Sequence, residues 1–166
     1  MSHDSYQSVG MYVRDGVDYR SATPEELMLA VQRMLSYRVR RGVALQSPET
    51  VRTYLKVELG QLEHEVFWMI ALDCRHRLID QLELFRGTID GTTVHPREVV
   101  KEALKLNAVA VMFVHNHPSG VAEPSHADEL ITRRLRDALS LVDIRVLDHF
   151  IVGGDCVMSF AERGLI

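Results

Sequence analysis

Two cysteines, Cys74 and Cys156, are all that the 166 residues contain, and they stand far apart with no Cys-x-x-Cys spacing. A disulfide framework and a cysteine zinc site both fail on that count. The two thiols are expected to be small, mostly buried groups in a reducing compartment. No stretch of about 18 apolar residues occurs, so no membrane-spanning helix and no membrane partner are expected. The first residues, MSHDSYQSVGMYVRDG, have no basic start, no apolar run and no small-residue cleavage site. That argues against a secretory signal and for a cytoplasmic protein. A basic excess is missing too: 19 Lys plus Arg face 23 Asp plus Glu, a net charge of −4. A domain that grips duplex DNA by its phosphates carries the opposite balance, so nucleic acid is not the partner that the charge predicts. Internal repeats and low-complexity tracts are absent as well.

What is present suits one folded domain. Hydrophobic residues make up 46% and charged residues 25%, a balance that supports a sizeable core and excludes wholesale disorder. The length suits one compact domain with a short extra arm. Residues 1–20 are polar and aperiodic and read as a loose arm. A helix follows, with Thr23 as cap, Pro24 in its first turn, an apolar stripe of Leu27, Ala30, Val31, Met34 and Leu35, and Gly42 as its stop. Arg33, Arg38, Arg40 and Arg41 read as a solvated helix end. A second helix opens at Ser47-Pro48, turns Val51, Tyr54, Leu55 and Leu59 to one side, and closes at Gly60. Val66–Leu72 is a continuous apolar run that suits a buried strand, and Leu78–Phe85 is its partner. A third helix starts at Pro96, with Val99, Val100, Ala103, Leu104 and Leu106 inward and Asn107 at its end. Ala108–Val114 is a second buried strand. A long helix from about Ser125 to Leu141, a strand Ile144–Val152, a Gly153-Gly154-Asp155 turn and a return strand Cys156–Phe160 complete a mixed α/β domain.

The chemistry concentrates after the second buried strand. Residues two apart on an extended chain point the same way, so His115 and His117 can converge on one point. Two imidazoles are good zinc ligands but leave the ion under-ligated, and a catalytic site needs a third protein ligand and one open position. Asp128 is the best candidate for that third ligand; His126 is a rival that spacing does not dismiss. Ser125 and Asp128 also fit a helix N-terminal cap, and the aspartate can do both jobs. Asp148-His149 lies on a strand, where neighbours face opposite ways, so at most one of the two faces a metal. An outer hydrogen-bond partner for a metal-bound histidine, or a structural role, is expected of this pair. His3, His64, His76 and His95 read as surface residues, His95 next to a helix cap.

His115-x-His117-Pro118, followed after six residues by Ser125 and after two more by Asp128, resembles the metal signature of the JAMM (MPN+) metalloproteases. The longer run His115-Asn116-His117-Pro118-Ser119-Gly120, with Glu123-Pro124-Ser125 and Asp128, resembles the RadC family in particular. Glu65-Val66-Phe67 before Leu72-Asp73, Phe85-Arg86-Gly87-Thr88, Pro96-Arg97-Glu98 and Leu147-Asp148-His149 do so as well. The resemblance covers about residues 47–166 and so divides the chain into an N-terminal arm and helix, 1–46, and a RadC/JAMM (MPN) domain, 47–166. It implies a JAMM/MPN-like mixed sheet flanked by helices, with cytidine-deaminase-like layering, and a hydrolase of peptide or isopeptide bonds holding one zinc ion per chain. Carried over by position, His115, His117 and Asp128 would hold the zinc, Glu65 would be the general base and Ser125 would steady the oxyanion. Glu63 and Glu83 rival Glu65 by position alone; only the Glu65-Val66-Phe67 match selects it. The substrate implied is a peptide or protein. The helix-hairpin-helix module that usually precedes the metal domain of RadC proteins is not recognised here, so the short form of the family is expected. A DNA-associated, repair-related protein with a non-catalytic metal site is the alternative, by family association, and a ligand-free scaffold is a third reading.

Overall fold

A computed structural model describes residues 12–15, 18–40, 48–60, 62–87 and 94–166. It begins with an antiparallel hairpin, β1 (Tyr12–Asp15) and β2 (Asp18–Ser21), in which Tyr12 pairs with Ser21. The loose arm expected over 1–20 is therefore corrected for these residues. All of β2 is exposed, so the hydrophobic alternation that marks a half-buried strand never arises, and backbone pairing alone defines the ribbon.

Helix α1 (Pro24–Arg40) starts as its sequence requires. Thr23 Oγ1 accepts the Glu26 amide proton at 3.2 Å, and the Thr23 amide donates to the Glu26 carboxylate at 2.9 Å, a reciprocal cap. Its apolar stripe is only partly used. Val31 packs on the core and Leu27 is half-buried, but Ala30 and Met34 are exposed, together with Met28 and Leu29. The reason is position: α1 lies against the next helix and an edge strand rather than across the centre of the sheet. The side chains of Leu35, Arg38 and Arg40, and residues Arg41, Gly42, Ser47 and Gly91, lie outside the described residues, as do 1–11.

Helix α2 (Pro48–Leu59) buries Val51, Tyr54, Leu55 and Leu59, the i, i+3, i+4, i+8 face. Strands β3 (Val66–Leu72) and β4 (Leu78–Arg86), helix α3 (Pro96–Lys105), strand β5 (Ala110–Asn116), helix α4 (His126–Ser140) and strands β6 (Arg145–Gly153) and β7 (Cys156–Ser159) follow. The five strands form one mixed sheet in the order β4-β3-β5-β6-β7, antiparallel except for the β5–β6 pair that α4 connects. Alternation sends Val66, Ile70, Met112, Val114 and Val152 to the α2 face, and Phe67, Met69, Val111 and Phe113 to the face covered by α3 and α4. The result is three layers with helices on both sides of a buried sheet, the mixed α/β architecture that the motifs imply.

Three smaller expectations change. Leu104 is exposed, because the inward line of α3 is Val99 and Ala103 and the next residue is rotated about 100° away. Cys74 and Cys156 are both exposed, one in the turn after β3 and the other at the start of the edge strand β7. Strand β5 runs two residues further than Ala108–Val114. Asn107 takes a left-handed φ of 52° and carries the chain out of α3 before β5 begins. His115 and Asn116 therefore sit inside the sheet with fixed register, Phe67 opposite His115 and His115 beside Ile151.

Candidate metal centre

His115 and His117 lie on the α4 face at the end of β5, with their Nε2 atoms 2.9 Å apart. His115 is buried, its ring stacked on Phe67 at 6.1 Å between centroids and 14° between planes. His117 stands just past the strand, where its amide donates to Val152 O at 2.8 Å and prolongs the β5–β6 ladder. The chain then doubles back at Gly120, whose φ is +80°, so that Nδ1 of His117 meets the Val121 carbonyl at 2.8 Å. This return loop rests on Gly153, where a Cβ would come within 2.5 Å of Ala122 N and 2.6 Å of Val121 C. No side chain fits there without lifting the carbonyl that orients His117.

Asp128 enters from the first turn of α4 and serves two purposes. Its Oδ2 accepts from the Ser125 amide at 2.7 Å and from the Ser125 hydroxyl at 2.6 Å, while Ser125 Oγ accepts from the Asp128 amide at 3.2 Å. That is a complete capping box. Its Oδ1 is turned to His115, 3.3 Å from Nε2, while Oδ2 also lies 3.5 Å from Nε2 of His117. His126 is exposed and lies outside the cluster. Ser125 stands beside the centre, but its one hydroxyl proton goes to Asp128.

The three side chains fit a metal ion by their donor chemistry. A ring nitrogen of each histidine and a carboxylate oxygen of Asp128 all lie within 4.8 Å of one another. Nδ1 of His117 can only donate to the Val121 carbonyl, which leaves the neutral ring with a bare Nε2 facing the carboxylate. Such a convergence of acceptors is satisfied by a cation. Two imidazoles and a carboxylate suit zinc and several other divalent transition metals, and leave a coordination position open.

The same geometry makes metal binding compete with protons. The Asp128 carboxylate that it faces holds His117 above its ordinary value of 6.5 against partial burial, and the Val121 carbonyl and the Glu65 charge add to the effect. Burial opposes the charge on Asp128, yet the facing His115 and His117 rings and the Ser125 hydroxyl keep its carboxyl well below the usual carboxylate range. Asp128 is thus ionised wherever His117 titrates, and the proton to be displaced is the one on His117. A raised histidine pKa means that this proton persists above pH 6.5. Metal affinity is expected to climb about tenfold per pH unit up to the raised value and to level off above it. Calorimetric titration with zinc in buffers of different ionisation enthalpy measures the proton released; a pH-independent affinity from about pH 6 upward would contradict the assignment.

Glu65 precedes β3. The register that pairs Phe67 with His115, carried two residues on, sets it across from His117, and its charge reaches that ring. Its carbonyl accepts from the Gly87 amide at 2.8 Å, tying the start of β3 to the end of β4. Of its rivals, Glu63 is exposed, and Glu83 is engaged by Arg86 at 2.7 Å, which draws its pKa down. Asp148 takes part in a clamp away from the cluster: it accepts from the Ser159 hydroxyl at 2.6 Å and from the Ala161 and His149 amides. His149 is fully buried, its Nε2 2.8 Å from Nδ1 of His115. Burial, then the neighbouring His115, push its pKa far below 6.5, so it is neutral. His76 and His95 are exposed, whereas His64, expected at the surface, is half-buried.

Two residues near the centre have roles that no motif assigns. Thr132, one turn into α4 from Asp128, is buried against His149, and a threonine in mid-helix gives no warning of this. Asn116 does leave a signal, being an amide in a strand of aliphatic residues. It projects to the face opposite the histidines, where its Oδ1 accepts from Val66 N at 2.8 Å and its Nδ2 donates to His64 O at 3.0 Å. The side chain thereby bonds the backbone on both sides of Glu65. Asn116→Ala leaves these groups unpaired and is expected to lower unfolding stability by about 2–3 kcal/mol. Urea denaturation measures this; a loss within about 0.5 kcal/mol would mean that the clamp is not used.

Comparison with known proteins agrees with this geometry. The RadC-like JAB domain family matches residues 45–165. A UPF0758 protein of Thioalkalivibrio sulfidiphilus is 62% identical over 135 residues, 81% of this chain and 60% of its own length. One from Leptothrix cholodnii is 55% identical over 147 residues, 89% of this chain and 66% of its own length. The chain thus spans about three-fifths of the length of such relatives, whose names state no activity. Among the described residues no helix is long and apolar enough to cross a membrane. With most of its length matched by the family, the layered fold in place and a His-His-Asp cluster at the end of β5, the chain belongs to the RadC-like JAB domain family.

Proposed function

We propose that the centre hydrolyses an amide bond, peptide or isopeptide, in a peptide or protein substrate, with zinc held by His115, His117 and Asp128. The observation that carries this reading is the three-ligand cluster with an open position, since a structural zinc site closes all four positions with protein. When bound there, zinc supplies a Lewis acid and a water acidified to a pKa of about 7. Glu65 takes the proton from the attacking water as the new C–O bond forms, and passes it to the amine nitrogen as the C–N bond breaks. The products are a carboxylic acid and an amine. Ser125 donates its hydroxyl proton to the carbonyl oxygen that becomes negative, and must release Asp128 Oδ2 to do so.

A panel of peptides and isopeptide-linked peptides incubated with the zinc-loaded protein tests the reading. Mass spectrometry should find new amine and carboxyl ends whose formation stops on chelation and resumes when zinc is returned. Cleavage that continues unchanged in chelator would overturn it, and so would a zinc-loaded protein that cleaves no member of a broad panel.

A further inference from the structure

His149 has no part in that chemistry, yet it is sealed between Phe160, stacked at 4.8 Å, and the edges of Phe67 and Phe113 at 5.4 and 6.0 Å. Water cannot supply its hydrogen bonds, so its two polar neighbours decide where its proton sits. Thr132 Oγ1 is 2.6 Å from the Asp128 carbonyl oxygen and 2.6 Å from Nδ1 of His149. A carbonyl only accepts, so the single hydroxyl proton of Thr132 goes to Asp128. The hydroxyl oxygen is then the acceptor, and Nδ1 of His149 carries the ring proton. A neutral imidazole has one such proton, which leaves Nε2 of His149 bare. It accepts from Nδ1 of His115, 2.8 Å away. His115, having its proton on Nδ1, is bare at Nε2, the atom that faces His117 and Asp128.

We propose that Thr132 and His149 are positioning residues that lock His115 in its Nδ1–H tautomer and hold its Nε2 lone pair in the metal centre. The relay starts at the backbone carbonyl of Asp128 and ends on the imidazole beside the Asp128 carboxylate, so one turn of α4 sets two ligands together. Outer partners of metal-bound histidines act in this way in general; here the direction of every bond follows from one obligate acceptor. Without the Thr132 hydroxyl, His149 gains by moving its proton to Nε2. His115 must then accept at Nδ1 and carry its own proton on Nε2, where it blocks the metal. The inference rests on the reading of His115 as a ligand.

Zinc affinity of the full chain, measured by competition with a chromophoric chelator, tests it in the parent, Thr132→Val, Thr132→Ser and His115→Ala. Thr132→Val keeps the shape of the side chain and is expected to weaken zinc about ten- to a hundredfold, while Thr132→Ser restores the hydroxyl and the affinity. Long-range proton–nitrogen NMR of the rings in the zinc-free parent should show His115 and His149 both protonated at Nδ1. A Thr132→Val protein that folds and holds zinc as tightly as the parent sinks the inference alone, as does a His149 proton found on Nε2. Parent zinc binding that survives His115→Ala unchanged sinks the reading of the ligand and the inference with it.

Discussion

Asp128→Asn is expected to strip the protein of zinc without melting the helix that Asp128 helps to cap. The parent should purify with, or take up, about one zinc per chain, as a single three-ligand centre requires. The asparagine variant should hold none at the same free zinc, a loss larger than the ten- to hundredfold that an outer partner costs. The carboxylate supplies the only negative charge in the cluster of His115, His117 and Asp128, and an amide oxygen neither neutralises the ion nor donates as strongly. The cap is a separate matter. Ser125 donates its amide and hydroxyl protons to one oxygen of residue 128, and the carbonyl oxygen of asparagine can accept both. Unfolding stability without metal should therefore change by only about 1 kcal/mol. Elemental analysis of purified protein, alongside a thermal melt, separates the two effects. If the variant retains stoichiometric zinc, the third ligand is another group, and His126 becomes the first to replace. The zinc-free parent should remain folded, because Leu55, Ile70, Phe113 and Leu135 are buried by sheet and helices and owe nothing to the site.

Glu65→Gln is expected to keep zinc and lose turnover, by about 10²–10⁴-fold. Glutamine has nearly the same shape and can still accept a hydrogen bond from water, but it cannot take the proton that the leaving nitrogen needs. Its backbone is held by Asn116 on either side and by Gly87, so the substituted side chain starts from the same place. Zinc content equal to that of the parent, with kcat reduced and KM little changed, is the expected signature of a group that acts only on the reacting atoms. A Glu65→Gln protein as active as the parent on any peptide that the parent cleaves would remove Glu65 from the mechanism and turn attention to other carboxylates near the sheet end.

The two predictions draw on parts of the molecule that were unequally legible. Strand β3, the pair β6–β7 and helices α2 and α4 stand out in the sequence because one face of each is buried, and burial imposes a period of 2 or 3.6 on the residues. The β1–β2 hairpin does not, since β2 is wholly exposed and its polar sequence carries no period. The apolar run marks β5 only as far as Val114, two residues short of its end, because a histidine and an asparagine do not look like the interior of a strand. They are there because the cluster is there: His115 is buried where it faces His117 and Asp128, and Asn116 bonds the neighbouring loop.

By itself the sequence determined the family and the layered α/β class, and through the family motif it named His115, His117 and Asp128 as a group. Metal ligands and helix caps depend on residue type and short spacing, and both are local. Only the tertiary structure decided that Glu83 is taken by Arg86, that His126 stands outside the cluster and that Asn116 spans the gap to Glu65. It also decided that Thr132 and His149 complete a relay to His115. The physical reason is that a hydrogen bond depends on a fit of a few tenths of an ångström between atoms far apart in the chain, as Asn116 and His64 are at 52 residues, and the packing of a sheet against four helices sets that fit.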